Sequence, residues 1–169
     1  MPLGWVVGVL ALALAQPTPL SLAVGLSLAL PGEIVRLWAS GHIEKTRALA
    51  TGGPYAHTRN PLYLGSLLMA LGTALASASA WVVLAVAAYM ASFYPAVMRE
   101  EAAFLQRKFG AEFDGWAGEV PAFLPRLRPG GPRRSHFEWP RVAANREWRT
   151  ALALPLAGAL LYLRGTVAP

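Results

Sequence analysis

Two stretches hold the side chains best equipped for chemistry. The first is Thr51-Gly52-Gly53-Pro54-Tyr55-Ala56-His57-Thr58-Arg59-Asn60-Pro61-Leu62-Tyr63-Leu64-Gly65, where two phenols, an imidazole and a guanidinium crowd around an Asn-Pro step. Asn caps free backbone N–H groups, and Pro at the first helical position brings a preset φ and no N–H to satisfy, so the pair predicts a helix beginning at Pro61. The start of such a helix presents unpaired N–H donors and a partial positive charge, which suits an anion. Tyr55, His57 and Arg59 precede it and Tyr63 lies in its first turn. The same residues would equally serve a structural end, a capped helix ringed by an interfacial Arg and Tyr belt. The second stretch is Arg99-Glu100-Glu101, directly after an apolar run. Carboxylates at the end of a helix oppose its dipole. One of them either meets a cation or a hydrogen-bond donor in a half-buried pocket, or the pair opens a solvated amphipathic helix. The apolar face of that helix would be Phe104, Leu105, Phe109, Phe113, Trp116 and Val120.

Other chemistries lack their parts. The chain has no Cys, which removes disulfides, thiolate metal sites and thiol nucleophiles together. His42, His57 and His136 form no pair at helical spacing, so no metal site is read. The only Asp is Asp114 and no nucleophile elbow occurs, which argues against a Ser-His-Asp triad. Glu33, inside an apolar run, has Arg36 at i+3 on the same face; a local ion pair and a substrate-orienting role are both open.

These residues must be held by apolar elements. Of 169 residues, 55% are hydrophobic and 14% charged, against about 25% charged in soluble domains. Uninterrupted apolar runs cover Leu3–Ala15, Leu20 to about Ser40, Leu62–Ser77, Trp81–Met98 and Ala151–Leu163. The expectation is an all-α, polytopic membrane protein with about five transmembrane helices and cytoplasmic amphipathic helices. A full span takes about 20 residues, so the first and last runs must borrow neighbours. A rival reading makes Ala13-Leu14-Ala15 a signal-peptidase site, but Met1-Pro2 carries no basic side chain to begin a signal peptide. In the third run Ser66, Ala70, Ala74 and Ala78 repeat at i+4 beside Gly65 and Gly72, spacing that permits close helix contact.

The breaks are two short uncharged turns, Gln16-Pro17-Thr18-Pro19 and Ser77-Ala78-Ser79-Ala80, and two long charged segments around 41–60 and 99–150. All basic residues but Arg164 lie in or beside the long segments. Lys and Arg collect on the cytoplasmic side, so both long segments and the N-terminus are expected inside and the C-terminus outside. The net charge of +6 fits a bilayer surface better than nucleic acid, because the arginines are interleaved with apolar runs. Between Arg126 and Arg149, basic residues alternate with Phe137, Trp139, Pro140 and Trp148, as suits either a headgroup layer or a solvated loop that fixes topology. With no internal repeat, residues 1–169 read as a single domain, its last interfacial helix and span at about 136–165.

Gly53-Pro54-Tyr55, Arg59-Asn60-Pro61-Leu62-Tyr63-Leu64-Gly65, Glu100-Glu101, Phe109-Gly110 and Val120-Pro121-Ala122-Phe123-Leu124-Pro125, in that order, resemble the isoprenylcysteine carboxyl methyltransferase and phospholipid methyltransferase superfamily over about residues 20–125. Asn60 stands where many relatives have His. The resemblance implies a small helical membrane enzyme that uses S-adenosyl-L-methionine. Its cofactor site would be built from Tyr55, His57, Asn60, Pro61, Tyr63, Gly65 and the paired Glu100 and Glu101. Counting back from Phe109-Gly110 favours Glu101.

Methyl transfer from a sulfonium is an in-line displacement, so such a protein chiefly positions two reactants and excludes water. Glu101 would take the cofactor's amino group or ribose and the helix start at Pro61 its carboxylate. Arg59 would hold an anionic group of a lipid or lipid-like substrate, whose tail enters between helices in the bilayer, and Arg59 and Glu101 are the residues assigned to catalysis. Localisation in a bacterial inner membrane, with the site facing the cytoplasm, follows from the same reading. Oligomeric state is left open. Two rivals belong to other classes: an NADPH-dependent membrane reductase, for which Arg59 alone is a thin phosphate site, and a non-catalytic lipid-binding protein.

Overall fold

The computed structural model describes residues 12–44, 47–132 and 134–167. Most of the first apolar run, including the basic-free start weighed above as a signal peptide, lies outside them. Among the described residues the regular elements are all helices: α1 Pro19–Ser40, a 3-10 turn Gly53–Ala56, α2 Pro61–Ala76, α3 Ala80–Phe109, α4 Ala111–Glu119, α5 Trp139–Ala144 and α6 Trp148–Val167. The all-α expectation holds. The expectation of about five spans is not confirmed: among the described residues, which leave out most of the first run, only α1 and α3 are long and apolar enough to cross a bilayer. The reason is length and charge. α2 has 16 residues, and at 1.5 Å per residue it falls short of a hydrocarbon core of about 30 Å. α6 reaches 20 residues only by including Arg149 and Arg164 near its ends and Pro155 within.

The chain divides into two compact units. One gathers the chain through Glu33, Ser66–Ser92 and the residues from Arg149 on; the other gathers Ile34–Gly65 and Phe93–Trp148. In the first, the packing is inverted relative to a water-soluble core. Ala15, Ala29, Ala74 and Ala76 are buried, whereas Leu20 and Trp81 are each 75% exposed and Leu84, Leu152 and Leu156 also face outward. Small residues inside and large apolar residues outside is the arrangement of helices that pack through close backbone approach while facing lipid. Gly25 and Gly72 mark that approach: a Cβ on Gly25 would lie 2.4 Å from the Gly72 carbonyl oxygen. The close approach on α2 runs through Gly72 and Ala76; of the expected i+4 stripe, Ala74 is buried, Ser66 and Ala70 are half-buried, and Ala78 leaves the helix with φ +53°. The α1 start is fixed by Thr18, whose Oγ1 accepts from Ser21 N–H at 3.1 Å while Ser21 Oγ accepts from Thr18 N–H at 2.9 Å.

In the second unit, Trp116, Phe113 and Val120 of the α4 region pack with Tyr55, Leu49 and Ala39 as one apolar cluster. The expected apolar face is thus split by depth. Phe113, Trp116 and Val120 are buried, Leu105 and Phe109 pack against them, and Phe104 stays exposed. α3 does not end at its charged residues, because Glu, Arg, Lys and Gln all favour helix; it runs on to Phe109 and breaks at Gly110, φ +52°.

Candidate functional site

The 3-10 turn that carries Tyr55 forms because Pro54 sits at its start and Gly53 supplies φ +56°. Any side chain at Gly53 would collide with His42, whose Nε2 is 2.3 Å from the ideal Cβ position. Trp116 Nε1 donates to the Tyr55 carbonyl at 3.1 Å and seats the ring below it in the cluster. Buried in this way and near the Glu101 carboxylate, the Tyr55 hydroxyl has its pKa pushed well above the ordinary phenol value and stays protonated.

The Val120–Pro125 motif earns its place in the pattern by pairing with the segment ahead of α2. Arg59 N–H donates to the Pro121 carbonyl at 2.9 Å, Asn60 Nδ2 to the Ala122 carbonyl at 2.8 Å, and Thr58 Oγ1 to the Phe123 carbonyl at 2.8 Å. Arg126 N–H returns a bond to the His57 carbonyl at 3.0 Å. Two stretches far apart in sequence thus fix each other, and Pro61, fully buried, begins α2 at the end of this ladder. The Asn60 carbonyl accepts from Leu64 N–H at 3.1 Å as the first bond of the helix.

Beside the ladder lies a cavity of about 500 Å³ lined by Tyr55, Arg59, Asn60 and Glu101 together with the apolar side chains of Leu49, Met98, Phe109, Phe113 and Trp116. Its size falls in the usual ligand-pocket range of roughly 300–1,000 Å³. Arg59 Nε is buried with no hydrogen-bond partner among the described residues, and burial lowers the Arg59 pKa from its usual value. Tyr63 reaches Glu101 from α2, its hydroxyl donating to the carboxylate, and its ring meets Tyr94 edge-on at 5.1 Å. Arg99, Lys108 and Glu44 also line the cavity. Sequence reading missed these three as site residues; the i, i+7 spacing of Glu101 and Lys108 on α3 was the signal that could have found one of them.

Several expected site residues stand elsewhere. His57 does not line the cavity: its Nδ1–H donates to the Arg126 carbonyl at 2.8 Å and its ring lies against Trp38. Glu100 is exposed and off the lining, since the next residue along a helix is turned by about 100°. Gly65 is buried within α2, where it serves packing. Arg36 pairs with Glu147, Nε to Oε1 at 2.7 Å, a partner sequence reading had not considered beside the local candidate Glu33.

Residues 35–112 match the model of the phospholipid methyltransferase family. The chain is 42% identical over 106 residues to the cobalt-zinc-cadmium resistance protein CzcN of Cupriavidus metallidurans, covering 62% of this chain and 47% of that protein. It is 37% identical over 108 residues to the nickel-cobalt-cadmium resistance protein NccN of Alcaligenes xylosoxydans xylosoxydans, covering 63% and 50%. The chain thus spans about half the length of the curated relatives it matches. No solved structure matches it.

Proposed function

We propose, because residues 35–112 match the phospholipid methyltransferase family and the chain resembles the isoprenylcysteine and phospholipid methyltransferase superfamily, that this protein is a membrane methyltransferase. It transfers a methyl group from S-adenosyl-L-methionine to a lipid-like or prenylated substrate at the cytoplasmic face of a bacterial inner membrane. The observation that carries the reading is the convergence of Tyr55, Arg59, Asn60 and Glu101 on one cavity, with Arg59 Nε buried and unpaired beside it.

The donor set lining the cavity suits such a cofactor: a carboxylate for an amino group or ribose hydroxyl, a protonated phenol and a guanidinium as hydrogen-bond donors, and aromatic rings for adenine or a cation. When bound, the cofactor supplies an electrophilic methyl group on a sulfonium. What the chain contributes is placement. Glu101, held by the Tyr63 hydroxyl, keeps one orientation from which to accept hydrogen bonds. Tyr55, protonated, is a donor and not a charge. Arg59 offers a planar fork for an anionic oxygen pair of the acceptor. The apolar wall from Leu49 to Trp116 keeps water from the reacting atoms, which strengthens each polar contact inside.

The two relatives are named for resistance to cobalt, zinc, cadmium and nickel, names that specify no methyl acceptor. For this chain they set the growth condition in which the acceptor should be sought. One observation favours a second reading, an NADPH-dependent reductase: Arg99 and Lys108 join Arg59 around the cavity. Calorimetry on the detergent-solubilised protein separates the two. S-adenosylhomocysteine should bind and NADPH should not; the reverse would replace the methyltransferase reading with the reductase.

A further inference from the structure

The segment after residue 112 lies beyond the family match, yet it reaches back into the site's framework. Between α5 and α6 the chain turns at Arg146, φ +58°, a left-handed conformation that side chains seldom adopt. The turn directs Glu147 inward, where it is only 5% exposed. There its Oε1 accepts from Arg36 Nε at 2.7 Å, and Arg36 Nη1 donates to the Leu62 carbonyl at 3.3 Å. Leu62 lies between Pro61 and Tyr63, in the turn that aims the Tyr63 hydroxyl at Glu101. Neighbouring contacts brace the same segment: Asn145 Nδ2 donates to the Ser40 and Ile43 carbonyls at 2.9 and 3.1 Å, and Ser135 Oγ accepts from Gly52 N–H at 2.8 Å.

A buried ion pair is a poor device for stability alone, since apolar residues of similar volume usually do as well or better. Its distinctive property is that it fixes direction: the guanidinium is planar, and a carboxylate on its Nε sets which way Nη1 points. We propose that Glu147, acting through Arg36, is a positioning residue that sets the first turn of α2 and thereby the Tyr63–Glu101 contact. The link with cofactor rests on the methyltransferase reading; the link with the α2 turn does not.

The test uses the full-length protein in detergent, with hydrogen exchange at the Leu64 and Gly65 amides and calorimetry with S-adenosylhomocysteine. Replacing the pair by apolar side chains, Arg36→Met with Glu147→Leu, removes the directional contacts without leaving a lone buried charge. We expect a folded protein whose Leu64 and Gly65 amides exchange about tenfold faster or more, while α6 amides are unchanged, and whose ligand affinity falls by a similar factor. Glu147→Gln, which keeps an acceptor for Arg36 Nε, should stay within about threefold of the parent in both readings. If the double variant does not fold, Glu147→Asp asks the same question with the charge retained and the reach shortened, and should accelerate the same two amides. Parental exchange at Leu64 and Gly65 in the folded double variant, or in Glu147→Asp, overturns the proposal. If the parent binds no S-adenosylhomocysteine, the methyltransferase reading falls and the exchange data still decide the role of Glu147.

Discussion

Tyr63 donates its hydroxyl to the carboxylate of Glu101, joining the first turn of α2 to the C-terminal third of a 30-residue helix. The contact explains why two adjacent glutamates are unequal. Helical geometry turns Glu100 away, while Glu101 meets a donor and lines the cavity. It also couples the motif around Arg59 to the motif around Glu101, so that a change in either element is felt at the same carboxylate.

Glu101→Gln should weaken S-adenosylhomocysteine about tenfold, near 1.5 kcal/mol, the low end for a charged hydrogen bond because Glu101 is exposed on one side. Glu100→Gln should leave affinity at the parental value. Calorimetry on both folded variants gives the comparison, and equal losses would remove the distinction between the two glutamates.

Arg59→Lys should leave cofactor affinity within a few-fold yet lower turnover roughly tenfold to a thousandfold, because an ammonium cannot reproduce a bidentate fork and misaligned reactants lose near-attack geometry. The assay is methyl transfer to extracted membrane lipids, run beside ligand binding. Full activity would return Arg59 to a merely topological role.

Gly53 and Gly110 share a positive φ but differ in surroundings, which separates strain from collision. Gly110→Ala meets nothing within 4 Å, but at φ +52° and ψ −126° its backbone lies outside even the left-handed helical region, so it should cost roughly 1–3 kcal/mol, the strain alone. Gly53→Ala adds the clash with His42 to its own strain and should cost more than Gly110→Ala, by about 1 kcal/mol or more. Thermal midpoints of the two variants provide the check; similar losses would mean that the 3-10 turn yields to the added methyl.

Burial raises the Tyr55 pKa, so the folded state holds the phenolic proton more tightly than the unfolded chain. Its contribution to stability is therefore complete below the unfolded phenol value of about 10 and is lost as pH climbs beyond it. Tyr55→Phe should shift alkaline unfolding to higher pH. An unchanged alkaline midpoint would assign that transition to another group.

Arginine placement also yields a topology test in this Cys-free chain. A cysteine at position 128 should react only from the cytoplasmic side of intact cells, and one at position 78 only from outside, both residues being exposed. Labelling of position 128 from outside would invert the orientation.

Local rules made much of the molecule legible. Asn60-Pro61 marks a helix start in both sequence and structure, since the preset φ of Pro61 acts within one turn, although the Asn60 side chain, expected as a cap, donates to the Ala122 carbonyl instead. Counting back from Phe109-Gly110, a step taken from the superfamily resemblance, favours Glu101, which lines the cavity, and the helix breaks at Gly110. The same reasoning did not fix helix length, because an apolar run signals burial in something apolar without setting where the helix ends: α2 stops at 16 residues and α3 continues through its charges to 30.

Sequence by itself determined the helical class, the apolar composition, the start of α2 and the superfamily pattern, all of which depend on contacts within a few residues or on composition. Only the tertiary structure decided that His57 faces Trp38 and the Arg126 carbonyl, that Val120–Pro125 closes on Thr58–Asn60, and that Glu147 finds Arg36. The physical reason is that helical periodicity specifies which side chains share a face but not which distant element that face will meet. That choice is made by packing, where a carbonyl on one loop and a donor on another must be satisfied together once water is excluded.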